Sequence, residues 1–132
     1  MLKQLSIYAE NKKGALQAMT NALYEAGINI WGSVTNDGAE YGINRMVVSD
    51  PDKAKEVLTE KGYLCRFVDV LAVEIEDKPG ALNTLLTALL DSNVNVDYTY
   101  LSFNRDSSTP VMILHTADPE EVEICPVSYT HL

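Results

Sequence analysis

One short pattern occurs twice in this chain: Glu10-Asn11-Lys12-Lys13-Gly14-Ala15-Leu16 and Glu76-Asp77-Lys78-Pro79-Gly80-Ala81-Leu82. In each copy an alternating apolar run stops and a helical period begins, so both predict a strand-to-helix turn. The two glycines stand 66 positions apart. A chain that repeats itself at this spacing folds as two similar units, and the local chemistry of the turn has to serve both.

Asn11 and Asp77 are side chains that favour helix starts, where an oxygen accepts one of the orphan N–H groups. Pro79 suits a first helical position, because its φ is pre-set and its missing N–H goes unused there. Gly14 and Gly80 carry no Cβ, so a ligand or another backbone can approach the first-turn amides, which bear the positive end of the helix dipole. The pattern predicts a turn able to hold a carboxylate. For one copy alone the simpler reading is a well-capped helix start; two copies in register favour a site.

The repeat extends in both directions. Leu5, Ile7 and Ala9 alternate with Ser6, Tyr8 and Glu10, and Leu71, Val73 and Ile75 keep the same phase, so a half-buried strand precedes each turn. After the turns, Leu16, Met19, Leu23 and Ala26 form one helical stripe and Leu82, Leu85, Leu86, Leu89 and Leu90 the other. Gly27 and Asn93 then offer left-handed C-terminal caps. Second strands open at Ile28-Asn29-Ile30-Trp31 and Val94-Asn95-Val96-Asp97. Asn36-Asp37-Gly38 is a hairpin signal in the first copy. The second copy turns later, through residues 104–108, and returns from Pro110 to Thr116. Second helices start at Asp50-Pro51 and Asp118-Pro119. The first carries Ala54, Val57 and Leu58 inward and ends at Gly62, and Tyr63 to Phe67 makes a short fourth strand.

Each unit reads β-α-β-β-α-β. Right-handed crossovers place both helices on one side of a four-stranded antiparallel sheet. The expected fold class is therefore α+β, two ferredoxin-like βαββαβ units in tandem. The second lacks its last strand and most of its last helix, because Pro126 falls inside that helix and costs it about 3 kcal/mol. The divisions expected are a first unit over residues 1–67, an incomplete second over 68–125, and a tail over 126–132. The tail resembles a translated adapter joined to a truncated reading frame and reads as non-native, so no chemistry is assigned to His131.

Composition narrows the function. With 46% hydrophobic and 22% charged residues among 132, the chain has the balance of a soluble globular protein. No apolar run approaches the ~18 residues of a membrane span, and no signal-peptide core follows Met1, which predicts a cytoplasmic protein without membrane partners. A net charge of −9 argues against nucleic acid, whose backbone selects for surplus Lys and Arg. The acidic run Asp118 to Glu123 reads as a helix start and lacks the spacing of a calcium loop. Cys65 and Cys125 form neither a disulfide framework nor a metal-ligand spacing, and no cofactor is implied. Catalysis needs a nucleophile with a base or a tuned acid–base pair. His115 lies in a strand phase and reads as packed or surface; nothing beside Cys65 lowers a thiol pKa; Trp31, Tyr98 and Tyr100 read as strand packing.

The residues 77–82, the helix end and strand start at 93–96, and their partners at 11–16 and 27–30 resemble a tandem ACT-domain protein from Leu2 to about Glu123. ACT domains are known as small regulatory modules that bind amino acids, often between domains lying side by side. The resemblance implies ligand loops at Asn11, Lys12, Lys13, Gly14, Ala15 and Leu16, and at Asp77, Lys78, Pro79, Gly80, Ala81 and Leu82. Ile30, Trp31 and Gly32, with Val96, Asp97 and Tyr98, are implied as facing walls. The second loop matches better, since the first has Lys13 where the second has Pro79.

The function expected is a non-catalytic regulatory module that binds a small amino acid at the interface between ACT-like units and modulates domain or subunit pairing, with a homodimer as the favoured assembly. The alternative is a structural interaction module that joins by sheet edges and takes no small molecule.

Overall fold

A computed structural model describes residues 2–36, 41–104 and 106–117. Nine elements follow in order: β1 Leu2–Glu10, α1 Ala15–Glu25, β2 Ile30–Asn36, β3 Tyr41–Val48, α2 Pro51–Glu60, β4 Leu64–Glu74, α3 Ala81–Asp91, β5 Tyr98–Phe103 and β6 Pro110–His115. The chain divides into two compact units between Val68 and Asp69. Both have the expected α+β, ferredoxin-like pattern.

In the first unit the strands lie in the order β2-β3-β1-β4. β3 is antiparallel to β1, with Leu5 opposite Met46 and Ile7 opposite Asn44, and antiparallel to β2, with Ser33 opposite Met46 and Thr35 opposite Asn44. These aligned residues share the sheet face that α1 and α2 cover. The core beneath the helices joins Leu5, Ile7, Met19, Leu23, Met46 and Leu58. Lys53 Nζ also donates to the Ala26 carbonyl at 2.9 Å, tying α2 to the end of α1.

The second unit repeats the plan in the order β4-β6-β5. Leu71 lies opposite Leu114 and Val73 opposite Met112, while Thr99 and Leu101 lie opposite the same two β6 residues. Its core joins Leu71, Val73, Leu85, Leu89, Val94 and Leu114.

The helix ends use one device three times. Gly27, Gly62 and Asn93 hold φ of 72°, 91° and 59°. At each, the next residue donates five positions back: Ile28 to Leu23, Tyr63 to Leu58 and Val94 to Leu89. This is the Schellman arrangement, and it bears out Gly27 and Asn93 as equivalent caps.

Several details differ from the sequence reading. The short strand expected over residues 63–67 and the one expected from Leu71 are a single strand, β4, because no Gly or Pro interrupts the stretch between them. Ladder pairing in the second strands begins at Ile30 and Tyr98, later than their first apolar residues. On β1, Gln4 and Ser6 are buried along with Leu5 and Ile7, and Gln4 Nε2 donates to Ser6 Oγ at 3.2 Å. The leucine stripe of α3 splits: Leu85 and Leu89 are buried, whereas Leu82, Leu86 and Leu90 are 37%, 36% and 73% exposed. They form a separate i, i+4, i+8 line turned away from the sheet. Leu16 and Tyr24 hold the first and last places of that line on α1 and are exposed too. The hairpin tip at Asp37-Gly38, the second helix of the second unit and the tail lie outside the described residues.

Candidate functional site at the repeated turns

The turn is built identically in both copies, and not as a side-chain cap. Ala15 N–H donates to the Lys12 carbonyl at 3.1 Å, and Ala81 N–H to Lys78 at 3.2 Å. Between them Gly14 has φ 82°, ψ −6° and Gly80 has φ 86°, ψ −5°. A closing bond with the third residue near (+80°, 0°) is a type II β-turn. Pro79 therefore occupies the second turn position, where its fixed φ also fits, instead of the first position of the helix. The glycines are needed for positive φ; nothing lies within 4 Å of where either Cβ would stand.

Asn11 and Asp77 do not cap. Neither α1 nor α3 has a side-chain capping bond or an acid in its first turn, and the glycines themselves hold the cap positions. Asn11 and Asp77 instead sit inside a tight bend, closed by Lys12 N–H donating to Glu10 and Lys78 N–H to Glu76, each at 3.0 Å. The same pairs are bridged by side chains: Lys12 Nζ to Glu10 Oε2 at 3.1 Å and Lys78 Nζ to Glu76 Oε2 at 2.7 Å. The Lys78 hydrogen bond and charge hold the Glu76 carboxyl below its ordinary range. The contrast is α2, whose Asp50 accepts from Lys53 N–H at 3.2 Å, with Pro51 in the first turn and Asp52 beside it. That helix start carries a side-chain cap of its own. At α1 and α3 the second and third helical amides, Leu16 and Gln17 or Leu82 and Asn83, point out of the helix without an intrahelical partner.

Two cavities flank the first turn. One, of about 440 Å³, lies between Lys12, Lys13 and Gly14 on one side and Gly62 and Tyr63 on the other, with Tyr8 and Tyr41 along it. The other, of about 180 Å³, lies on the β2–β3 side, between Asn11, Ala15, Leu16 and Met19 above and Thr35, Gly42 and Asn44 below. Asn44 is 2% exposed. Its Nδ2 donates to Thr35 Oγ1 at 2.7 Å and to Ser33 Oγ at 3.1 Å. None of these three residues was singled out from sequence; the available signal was an asparagine at an inward position of an apolar strand.

The implied facing walls stand elsewhere in their own units. The first turn follows Glu10, opposite Tyr41, while Ile30 pairs with Val48 at the other end of the sheet. Gly32 and Asn36 are four residues apart, so even the last of the three wall residues is roughly 13 Å from the turn end of β2. Trp31 is the extra residue of a β-bulge between Ile30 and Gly32. In the second unit the turn follows the Glu74–Val111 end of the ladder, while Tyr98 pairs with His115 at the far end. Val96 packs beside the core, and Asp97 Oδ2 is bonded to His115 Nδ1 at 2.8 Å, with Tyr98 stacked on the imidazole. A unit's turn and its own strand start are thus not brought together.

Among the described residues, no cluster of His, Cys, Asp and Glu has the arrangement of a metal site, and no helix is long and apolar enough to cross a membrane. Cys65 is half-buried, and burial pushes its thiol pKa up, against the opposing influence of Lys55 and Thr59.

Two ferredoxin-like units in tandem, each with a glycine turn after its first strand, define the architecture. The family model for the ACT domain pair matches residues 1–126, and the chain belongs to that family. A solved protein of Bacteroides thetaiotaomicron is similar at 32% identity and a TM-score of 0.83, over 92% of this chain and 84% of that one. The fold is also shared with the regulatory subunit of aspartate kinase from Thermus thermophilus in its ligand-free form, at 14% identity and a TM-score of 0.63 over 91% and 86% of the two chains. The corresponding subunit from Thermus flavus has 17% identity and a TM-score of 0.54, over 86% and 83%. No curated protein matches the sequence.

Proposed function

We propose that this chain is a non-catalytic regulatory module whose glycine turns bind a small amino acid, and that binding alters how ACT-like units or subunits pair. The observation that carries this reading is the contrast between helix starts: α2 has a side-chain cap from Asp50, while both repeated turns have none and leave helix-end amides open beside exposed glycine backbone. An amino acid's carboxylate supplies the missing acceptors. In this reading Asn11 or Asp77 takes its ammonium. Two cavities lie beside the first turn, and the second turn matches the motif more closely. In this reading Ile30 to Gly32 and Val96 to Tyr98 reach such a ligand from an ACT-like unit other than the one carrying the turn, and a homodimer is the favoured way to supply that unit. Two proteins that share the fold are themselves regulatory subunits, which agrees with this reading.

A ligand shifts a pairing equilibrium only by its differential affinity, about 1.4 kcal/mol for a tenfold preference. Thermal unfolding against each standard amino acid tests the proposal. At 100 times its dissociation constant, a true ligand adds about 2.7 kcal/mol and moves the midpoint by several degrees. Sedimentation with and without that ligand reads the change in pairing. No shift with any amino acid, together with ligand-indifferent self-association, would replace this reading with a purely structural interaction module.

A further inference from the structure

The 180 Å³ cavity of the first unit has a polar floor that the second unit lacks. The registers align the two exactly enough to compare side chains: Ser33, Thr35 and Asn44 correspond to Thr99, Leu101 and Met112. Where the first unit sets a hydroxyl and a buried carboxamide, the second sets two apolar side chains. Thr99, the hydroxyl that remains, is turned to the Ile113 carbonyl at 2.8 Å. Packing alone does not call for asparagine at this place, since the repeat fills it with methionine, and a buried amide carries a desolvation cost that methionine avoids.

The floor's hydrogen-bonding capacity is specific. Both Nδ2 hydrogens of Asn44 are taken, by Thr35 Oγ1 and Ser33 Oγ. Its Oδ1 has only the Ser33 hydroxyl, at 3.4 Å, and so keeps acceptor capacity. Thr35 has accepted from Asn44 and keeps its own hydrogen to donate. The pair offers one acceptor and one donor side by side. A flip of the amide preserves this, with Nδ2 then donating into the cavity and Thr35 Oγ1 accepting. Ala9, Ala15, Leu16 and Met19 form the apolar part of the remaining wall, and Glu10, Asn11, Lys12 and Asn36 line its rim. The volume is that of roughly six waters at about 30 Å³ each, small for a ligand pocket.

Resting on the amino-acid reading above, we propose that the first unit selects an amino acid with a short hydroxyl or carboxamide side chain, read by Asn44 and Thr35, and that the second unit has no such selectivity. A group that both donates and accepts satisfies the pair. A carboxylate cannot donate to the free acceptor, an ammonium cannot accept, and an apolar side chain leaves both unpaired. Sites built to bond a polar group reject analogues lacking it strongly.

Calorimetric titration of the full chain with serine, threonine, asparagine and glutamine, set against alanine, valine, aspartate and lysine, tests this. At least one of the first four binds tenfold or more tightly than all of the second four. Thr35→Val, on an exposed strand residue, reduces that preference to under threefold; Asn44→Met, which copies the second unit, does the same if its melt stays cooperative. Amino-acid binding that favours an apolar or charged side chain, or a preference untouched by Thr35→Val, overturns the inference while leaving the amino-acid module intact. Absence of binding by all eight, with no thermal shift from any standard amino acid, overturns both.

Discussion

His115 Nδ1 lies 2.8 Å from Asp97 Oδ2, and the imidazole stacks on Tyr98 with centroids 5.0 Å apart and planes 5° from parallel. Asn95 Nδ2 donates to the other oxygen of Asp97 at 3.0 Å, and Asp97 N–H donates to the His115 carbonyl at 2.9 Å. The aspartate is thus occupied in joining the start of β5 to the end of β6. His115→Ala removes a side-chain bond and an aromatic contact, and should cost about 1 to 2 kcal/mol. Thermal unfolding should show a drop of several degrees, with amino-acid affinity at the first turn unchanged. An unchanged midpoint would mean that the cluster does not hold the strand ends together.

The type II geometry makes Lys13→Pro a stabilising change. Lys13 holds the position that Pro79 holds in the second copy, and Lys12 before it plays the part that Lys78 plays before a proline. The substitution narrows the unfolded chain without asking the folded one to move, and should add about 0.4 to 1 kcal/mol. Pro79→Lys should lose a similar amount. Urea denaturation of both variants checks the pair; a destabilised Lys13→Pro would show that the two turns differ in φ at this position.

Much of the architecture was legible because backbone requirements leave residue signatures. Gly27 and Asn93 could be matched as caps despite different chemistry, since both tolerate the positive φ that a Schellman ending demands. The alternation at Leu5-Ile7 and Leu71-Val73 placed both first strands. The turn itself was misread in detail: Asp-x-Pro-Gly fits a capped helix start and a type II turn equally well by composition, and only the φ of Gly80 and the Ala81–Lys78 bond decide between them. The polar floor was invisible for another reason. Ser33, Thr35 and Asn44 become neighbours through strand register, and a lone inward asparagine does not announce its partners.

Cys65 supplies a pH prediction. Burial raises its thiol pKa in the folded chain, so the folded state holds this proton more tightly than the unfolded one. Its contribution to stability is complete below the unfolded thiol value and is lost as pH rises through the folded value. In a Cys125→Ser background, the pH midpoint for iodoacetamide alkylation should lie above that of free cysteine, near 8.5. Stability should decline over the same alkaline range, and Cys65→Ala should remove that part of the decline. A midpoint at or below the free value would contradict the assigned burial.

The helix starts can be separated by two aspartates. Asp50 accepts from Lys53 N–H and caps α2, so Asp50→Ala should cost about 1 kcal/mol. Asp77 precedes α3 in the repeated turn and makes no capping bond, so Asp77→Ala should stay within about 0.5 kcal/mol, as an exposed surface substitution does. Urea titrations of the two variants give the comparison directly. The functional consequence runs the other way: if Asp77 takes a ligand's ammonium, its alanine variant loses amino-acid affinity with little loss of stability, while Asp50→Ala loses stability and keeps affinity. Equal destabilisation by both substitutions would restore a capping role to Asp77 and remove the main physical ground for treating the repeated turns as open anion sites.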